Sequence, residues 1–182
     1  PPRFLVTGFL FVIIIGALLL HLPISSREGI WTPLLDCFFT ATSATCVTGL
    51  VTLNTAAHWT TFGHVIIMLL IQIGGLGFMT VATLMALLLG KRITLRDRLI
   101  IQEQMNTFSL SGMVKLIRYV IVSTLIIEGI GAVLLTFKLT PMFGLKGIWF
   151  SIFHSISSFC NAGFDIIGPN SLNEFINSPL IM

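Results

Sequence analysis

From Cys37 to Gly90 the chain runs for 54 residues without one charged side chain. A soluble domain is about 25% charged, so a run of this length points to a bilayer. The whole chain agrees: of 182 residues, 9% are charged and 55% hydrophobic. Those figures exclude disorder. Three cysteines, Cys37, Cys46 and Cys160, are too few for a secreted disulfide scaffold. A net charge of +3 gives no support for nucleic-acid binding.

The long uncharged run cannot be one span, and it is short for two spans with an ordinary loop. Its middle, Thr40 to Thr61, is rich in Thr, Ser and Ala. The helix in it is therefore expected at Val65–Leu89, 25 residues. At 1.5 Å per residue this is about 38 Å, more than the roughly 30 Å hydrocarbon core. A first span is expected at Phe4–Leu22, which is long for a signal peptide and is followed by no Ala-x-Ala cleavage pattern. A third is expected at Tyr119–Phe137, with one acid, Glu128.

Six of the ten basic residues, Lys91, Arg92, Arg96, Arg98, Lys115 and Arg118, lie between the second and third spans. The positive-inside rule puts this link, and with it the N-terminus, in the cytoplasm. Residues 23–62 and 138–178 then lie outside. Thr94-Leu95-Arg96-Asp97 has a helix-capping pattern, and Leu95, Leu99, Ile100 and Met105 fit the apolar face of a short interfacial helix. A plain solvated link fits equally. The chain begins Pro-Pro and ends as apolar character returns, as a fragment of a longer protein would.

A shift of 114 residues aligns Phe39–Leu50 (FTATSATCVTGL) with Phe153–Phe164 (FHSISSFCNAGF). Four of the twelve positions are identical: Phe39/Phe153, Ser43/Ser157, Cys46/Cys160 and Gly49/Gly163. Each copy follows a span and an exterior loop expected to hold Gly-Ile-Trp (29–31 and 147–149). Repeats are a common way to build transporters and channels. The segment between the helices is too short to cross. A helix that stops at mid-membrane leaves unpaired carbonyls and a negative dipole end. Irregular backbone is tolerated there only against protein or water. Thr45-Cys46-Val47-Thr48-Gly49 then supplies a row of carbonyls able to replace a cation's hydration shell. Gly49 gives the backbone freedom to align them. Each unit reads as outer helix, pore helix, filter and inner helix.

With Thr-Ser-Ala-Thr-Cys-Val-Thr-Gly-Leu (42–50), Ile-Gln-Ile-Gly-Gly-Leu-Gly-Phe (71–78), Ile-Glu-Gly-Ile-Gly (127–131) and Phe-His-Ser-Ile-Ser-Ser-Phe-Cys-Asn-Ala-Gly-Phe-Asp (153–165), the chain resembles the Ktr/Trk/HKT superfamily of potassium transporters, most nearly the bacterial Ktr membrane subunit. The resemblance implies four units around one pore, of which this chain holds about one and a half. It implies ion-facing carbonyls at Val47 and Thr48, and at Asn161 and Ala162. It also implies a homodimer regulated by a cytoplasmic nucleotide-binding ring on the basic face, with nucleotide bound by that partner. One glycine per segment, Gly49 and Gly163, implies less exacting coordination than in potassium channels. The gating loop of the third inner helix would lie beyond this chain.

Other features have plainer readings. Gly74, Gly75 and Gly77 favour close helix packing over a flexible point. A dinucleotide fold fails for want of a preceding strand. Glu128, costly in a span, is expected to face protein rather than act as an ion site. Asp36 could raise the cation concentration at the outer mouth, but its place near the start of the first pore helix suits a cap. Asp165, just after the second filter, fits an electrostatic role at the outer mouth. His154 is expected in the second pore helix as packing or a hydrogen bond. Cys46 and Cys160 suit small-residue packing. His21, His58, His64 and His154 have no metal spacing.

The expected fold is all-α and integral to the membrane. Residues 1–90 form the first unit, 91–114 the cytoplasmic link, and 115–182 the second unit with its inner helix cut short. The expected function is potassium uptake, with sodium as an alternative ion, across the bacterial plasma membrane. The filter residues are Thr45, Cys46, Val47, Thr48, Gly49, Cys160, Asn161, Ala162 and Gly163, with Asp165 at the mouth. No cofactor and no enzymatic activity are expected: no nucleophile–base pair is visible, and an intramembrane enzyme would need more than the lone Glu128. The other alternative is a non-transporting scaffold or inactive fragment.

Overall fold

A computed structural model describes residues 2–77, Thr80 and 113–168. Among these residues the protein is helical, with one isolated bridge between Ser26 and Trp59. Helix α1 spans Pro2–His21, α2 Leu34–Thr45, α3 Thr55–His58, α4 Thr61–Leu76, α5 Met113–Phe143 and α6 Lys146–Phe159.

The first unit is built on α1, α2 and α4. Ile13, Ala17 and Leu20 of α1 share one buried cluster with Cys37, Ala41 and Ala44 of α2 and Ile66, Ile67, Leu70 and Ile71 of α4. Small residues set the closeness. A side chain on Gly16 would begin 2.7 Å from Leu70 Cδ1. At one end of the unit the connecting segments are pinned together. Thr60 Oγ1 donates to Ile24 O at 2.7 Å, Thr60 N to Ser25 O at 2.9 Å, and Arg27 Nε to Trp59 O at 3.0 Å. Thr60 also caps α4 by accepting from Gly63 N. The segment after the filter is thereby tied to the end of α1.

Several expectations change. The first helix forms as anticipated. The expected continuous helix Val65–Leu89 does not: α4 ends at Leu76, Gly77 takes φ 82°, and Thr80 is helical again. A glycine outside helical dihedrals interrupts the ladder where composition alone shows an unbroken apolar run. The third span extends well past Tyr119–Phe137, because the flanking Lys115, Arg118 and Lys138 are good helix formers and carry on the helix beyond its apolar part. Gly147-Ile148-Trp149 is not exterior loop but the first turn of α6. Gly147 lies there against the backbone of Leu139, so α5 and α6 form a close hairpin. The expected interfacial helix around Leu95–Met105 lies outside the described residues.

The α5 segment Ile117–Phe143 is long and apolar enough to cross a bilayer, and only 11% of its most apolar window is buried. Large apolar side chains including Leu125, Ile126, Ile127 and Val133 are exposed along it. Such a surface suits lipid rather than water.

Candidate functional site

The two aligned segments fold alike, bond for bond. Helix α2 ends at Thr45, and α6 ends at Phe159. Cys46 N donates to Thr42 O at 2.8 Å, and Cys160 N to Ile156 O at 3.0 Å. Val47 N reaches Ala44 O at 3.3 Å, and Asn161 N reaches Ser158 O at 3.0 Å. Thr48 N bonds Ser43 O at 2.9 Å, and Ala162 N bonds Ser157 O at 2.7 Å. Each donor and acceptor stands 114 residues from its counterpart, the spacing of the sequence repeat.

The dihedrals repeat too. Val47 and Asn161 both have φ 57°, and Gly49 and Gly163 have φ 74° and 71°. These four are left-handed positions, where an ordinary L-residue is strained by about 1–2 kcal/mol. Val47 is the sharper case, because its β-branched side chain tolerates that region least. Strain repeated in register marks a required shape. The amides of three consecutive residues turn back to the helix, so their carbonyls are released. Among the described residues, the carbonyls of Cys46, Val47, Thr48, Cys160, Asn161 and Ala162 accept no hydrogen bond. Thr45 Oγ1 is buried at the end of α2, also without a partner among these residues.

The two segments also meet. A side chain on Gly49 would begin 2.5 Å from Ala162 O and 3.2 Å from Gly163 Cα. One built on Gly163 would lie 3.6 Å from Gly49 Cα. The two glycines stand back to back, with the Ala162 carbonyl against the first segment. Helix α4 wedges behind both. Gly74 packs directly on the Thr45 backbone carbonyl, and Gly75 faces Cys160 Sγ. The packing reading holds for Gly74 and Gly75, one against each segment, but not for Gly77, which leaves helical dihedrals and ends α4.

Three of the four repeated identities have matched or related roles. Ser43 and Ser157 offer the carbonyls that hold Thr48 and Ala162. Their hydroxyls brace the segments as well: Thr48 Oγ1 donates to Ser43 Oγ at 3.0 Å, and Ser157 Oγ donates to Phe164 O at 2.8 Å. Cys46 and Cys160 are free thiols at the helix ends. Cys160 packs into the space at Gly75, whereas Cys46 is exposed. The fourth identity, Phe39/Phe153, splits: Phe153 is buried and Phe39 exposed.

Other candidate residues fall as follows. Asp36 is not a cap: Pro33 holds that position with no side-chain bond, and Asp36 lies inside the first turn, where a carboxylate still faces the positive dipole end. Asp165 Oδ1 lies 2.7 Å from His154 Nε2 and also accepts from Ile167 N at 2.9 Å. It is thus a strut between α6 and the segment leaving the filter. His154 bonds Phe150 O through its other nitrogen at 2.7 Å. Glu128 faces protein, as expected, but its partner is Gln72, whose Nε2 lies 2.9 and 3.1 Å from the two carboxylate oxygens. Sequence reasoning missed Gln72. The available signal was that Gln72 is the one amide side chain between Val65 and Leu89, a run in which a polar group needs a partner.

A family model described as "Cation transport protein", TrkH, matches residues 6–182. The potassium/sodium uptake protein NtpJ of Enterococcus hirae is 48% identical over 100% of this chain and 41% of its own length. The Ktr system potassium uptake protein B of Bacillus subtilis is 44% identical over 100% of this chain and 40% of its length. Its namesake from Vibrio alginolyticus is 37% identical over 99% of this chain and 39% of its length. The chain therefore spans about two fifths of the curated relatives it matches.

Proposed function

The chain belongs to the TrkH family of cation transport proteins, and from that premise we propose that it forms part of a potassium uptake protein whose filter includes residues 45–49 and 160–163. The observation that carries this reading is the pair of left-handed segments in register, with carbonyls released from the pore helices and glycines in contact. A dehydrated monovalent cation needs several oxygens at once, held but not tightly caged. Val47 and Thr48, with Asn161 and Ala162, provide backbone oxygens of that kind. Each pore helix points its C-terminal, negative dipole end at the same place.

Uptake is passage down the electrochemical gradient. The interior-negative potential contributes about 2.3 kcal/mol per charge per 100 mV. Weak binding at successive sites lets the ion leave. Single-glycine segments coordinate loosely, and the relatives' names include both potassium and sodium, so sodium is a second candidate cargo. The location is the bacterial plasma membrane, with the N-terminus and the basic residues 91–118 on the cytoplasmic side. In this reading the electrostatic role expected of Asp165 at the outer mouth is secondary to its bracing of the second segment through His154 and Ile167 N. A dimer of intact subunits on a nucleotide-binding ring is the assembly this reading carries. Nothing in the chain's chemistry calls for a cofactor.

The test is complementation. The full-length protein, its Gly49→Ser and its Gly163→Ser variants are expressed in potassium-uptake-deficient bacteria, and growth at low potassium and Rb⁺ uptake are measured. Rescue by the unaltered protein, with uptake lost or ion preference altered in the variants, supports the reading. Unchanged uptake in both well-expressed variants assigns the repeat to scaffold.

A further inference from the structure

Glu128 is 6% exposed in the middle of a span whose neighbours Ile126, Ile127 and Ile130 are exposed. A carboxyl group there is costly unless something holds it. What holds it is Gln72 of α4, 56 residues away in sequence, with its amide nitrogen shared between both carboxylate oxygens. The other end of the same amide faces the second filter: Cys160 Sγ lies 4.0 Å from Gln72 Oε1. One turn along α4, Gly75 closes on the same Cys160. The backbone of Glu128 is engaged as well, since its carbonyl accepts from Ser155 Oγ of α6 at 2.6 Å. Outer helix, inner helix and pore helix thus converge on the residue that ends α6 and begins the strained turn at Asn161.

We propose that Glu128 and Gln72 are positioning residues for ion selection: the carboxylate fixes the Gln72 amide, and Gln72 with Gly75 fixes Cys160, thereby setting where the Asn161 and Ala162 carbonyls stand. This rests on the filter reading above. The first filter has no such relay among the described residues, because its end meets Gly74 through backbone alone. The second filter's geometry is therefore under side-chain control from two helices that do not line it.

The experiment uses the full-length protein in potassium-uptake-deficient bacteria, with Rb⁺ uptake measured against competing Na⁺ at matched membrane levels. Gln72→Met keeps the volume and removes the amide. Glu128→Leu removes the acceptor. The exchange pair Gln72→Glu with Glu128→Gln puts the carboxylate on α4 and the amide on α5, and so rebuilds the hydrogen bond with the same groups. Both single variants are expected to lower the preference for Rb⁺ over Na⁺ at least several-fold, and the exchange pair to restore most of it. Wild-type preference in both single variants overturns the proposal. So does an exchange pair as impaired as the singles, since a charge at position 128 itself would then be what matters. If the single variants do not reach the membrane, the exchange pair alone decides: near-normal preference supports the relay, and impaired preference at normal membrane level overturns it. Gly163→Ser in parallel separates the two levels. An altered Gly163→Ser beside normal relay variants sinks only the positioning role, while a normal Gly163→Ser removes the second segment from ion selection and the relay with it, and a normal Gly49→Ser besides sinks the whole filter reading.

Discussion

The two filter segments share a backbone but not a setting. In the second, Phe153 is 1% exposed and meets His64 of the first unit's α4, ring centroids 6.0 Å apart. Its repeat counterpart Phe39 is 40% exposed. The second segment is strapped by His154–Asp165 and by Ser157 to Phe164 O. The first relies on the more local Thr48–Ser43 contact, five residues apart in sequence. The lesson is that the turn itself is local, written in each twelve-residue copy, while its support comes from whichever inner helix packs behind it. Where that helix belongs to another unit, the same residue type is buried in one copy and open in the other.

Packing makes the sharpest prediction of asymmetry. Gly49→Ala meets a backbone oxygen at 2.5 Å, whereas Gly163→Ala finds only an ordinary contact at 3.6 Å. Both suffer the left-handed strain of about 1–2 kcal/mol. Rb⁺ uptake by full-length variants should fall at least about tenfold for Gly49→Ala, a change of roughly 1.4 kcal/mol, and distinctly less for Gly163→Ala. Equal losses would break the comparison.

The inner-helix glycines come next. Gly74→Ala presses on the Thr45 backbone, which cannot swing aside, while Gly75→Ala presses on a thiol that can. Gly74→Ala should impair uptake and lower the melting temperature of the purified protein more than Gly75→Ala. Adding Cys160→Ala removes the thiol but leaves its Cβ at 2.9 Å, so it should rescue Gly75→Ala only in part and leave Gly74→Ala unimproved.

A smaller effect is expected of the strut. Asp165→Asn keeps an oxygen for Ile167 N but gives up the charge-assisted bond to His154, worth about 1.5–3 kcal/mol in general. The melting temperature should drop, and Rb⁺ uptake should fall less than in Gly49→Ala. Combined with His154→Phe, which also gives up the bond to Phe150 O, the loss should be smaller than the sum of the two single losses, because the contact they share can be lost only once.

Smallest is the exchange of the two left-handed residues. Asn tolerates that region and Val does not. Asn161→Val should destabilise by about 1 kcal/mol, and Val47→Asn should be neutral or slightly stabilising in its backbone contribution. Thermal melting of the two purified variants checks the sign.

Much of this was legible because it is periodic or local. An uncharged run located α1, an apolar run with one acid located α5, and the register of 114 residues located both turns down to Gly49 and Gly163. Two kinds of information were not. The break at Gly77 is a choice of dihedral inside an apolar run: the three glycines raised a flexible point, but residue type does not say which of them packs and which leaves the helix. The pairings Gln72–Glu128 and His154–Asp165 depend on which helix faces join, and a sequence states residue types without stating partners. The expected cap at Asp36 failed for a related reason: Pro33 already occupies the cap position, so the carboxylate falls inside the first turn, three residues too late to cap it.

The most direct test is to locate the ion. The full-length protein is crystallised in Rb⁺ or Tl⁺, and anomalous scattering is mapped. The account predicts a peak between the two segments, within coordinating distance of backbone oxygens from Val47 or Thr48 and from Asn161 or Ala162. A well-ordered map with these four carbonyls bare and the cation elsewhere would contradict it.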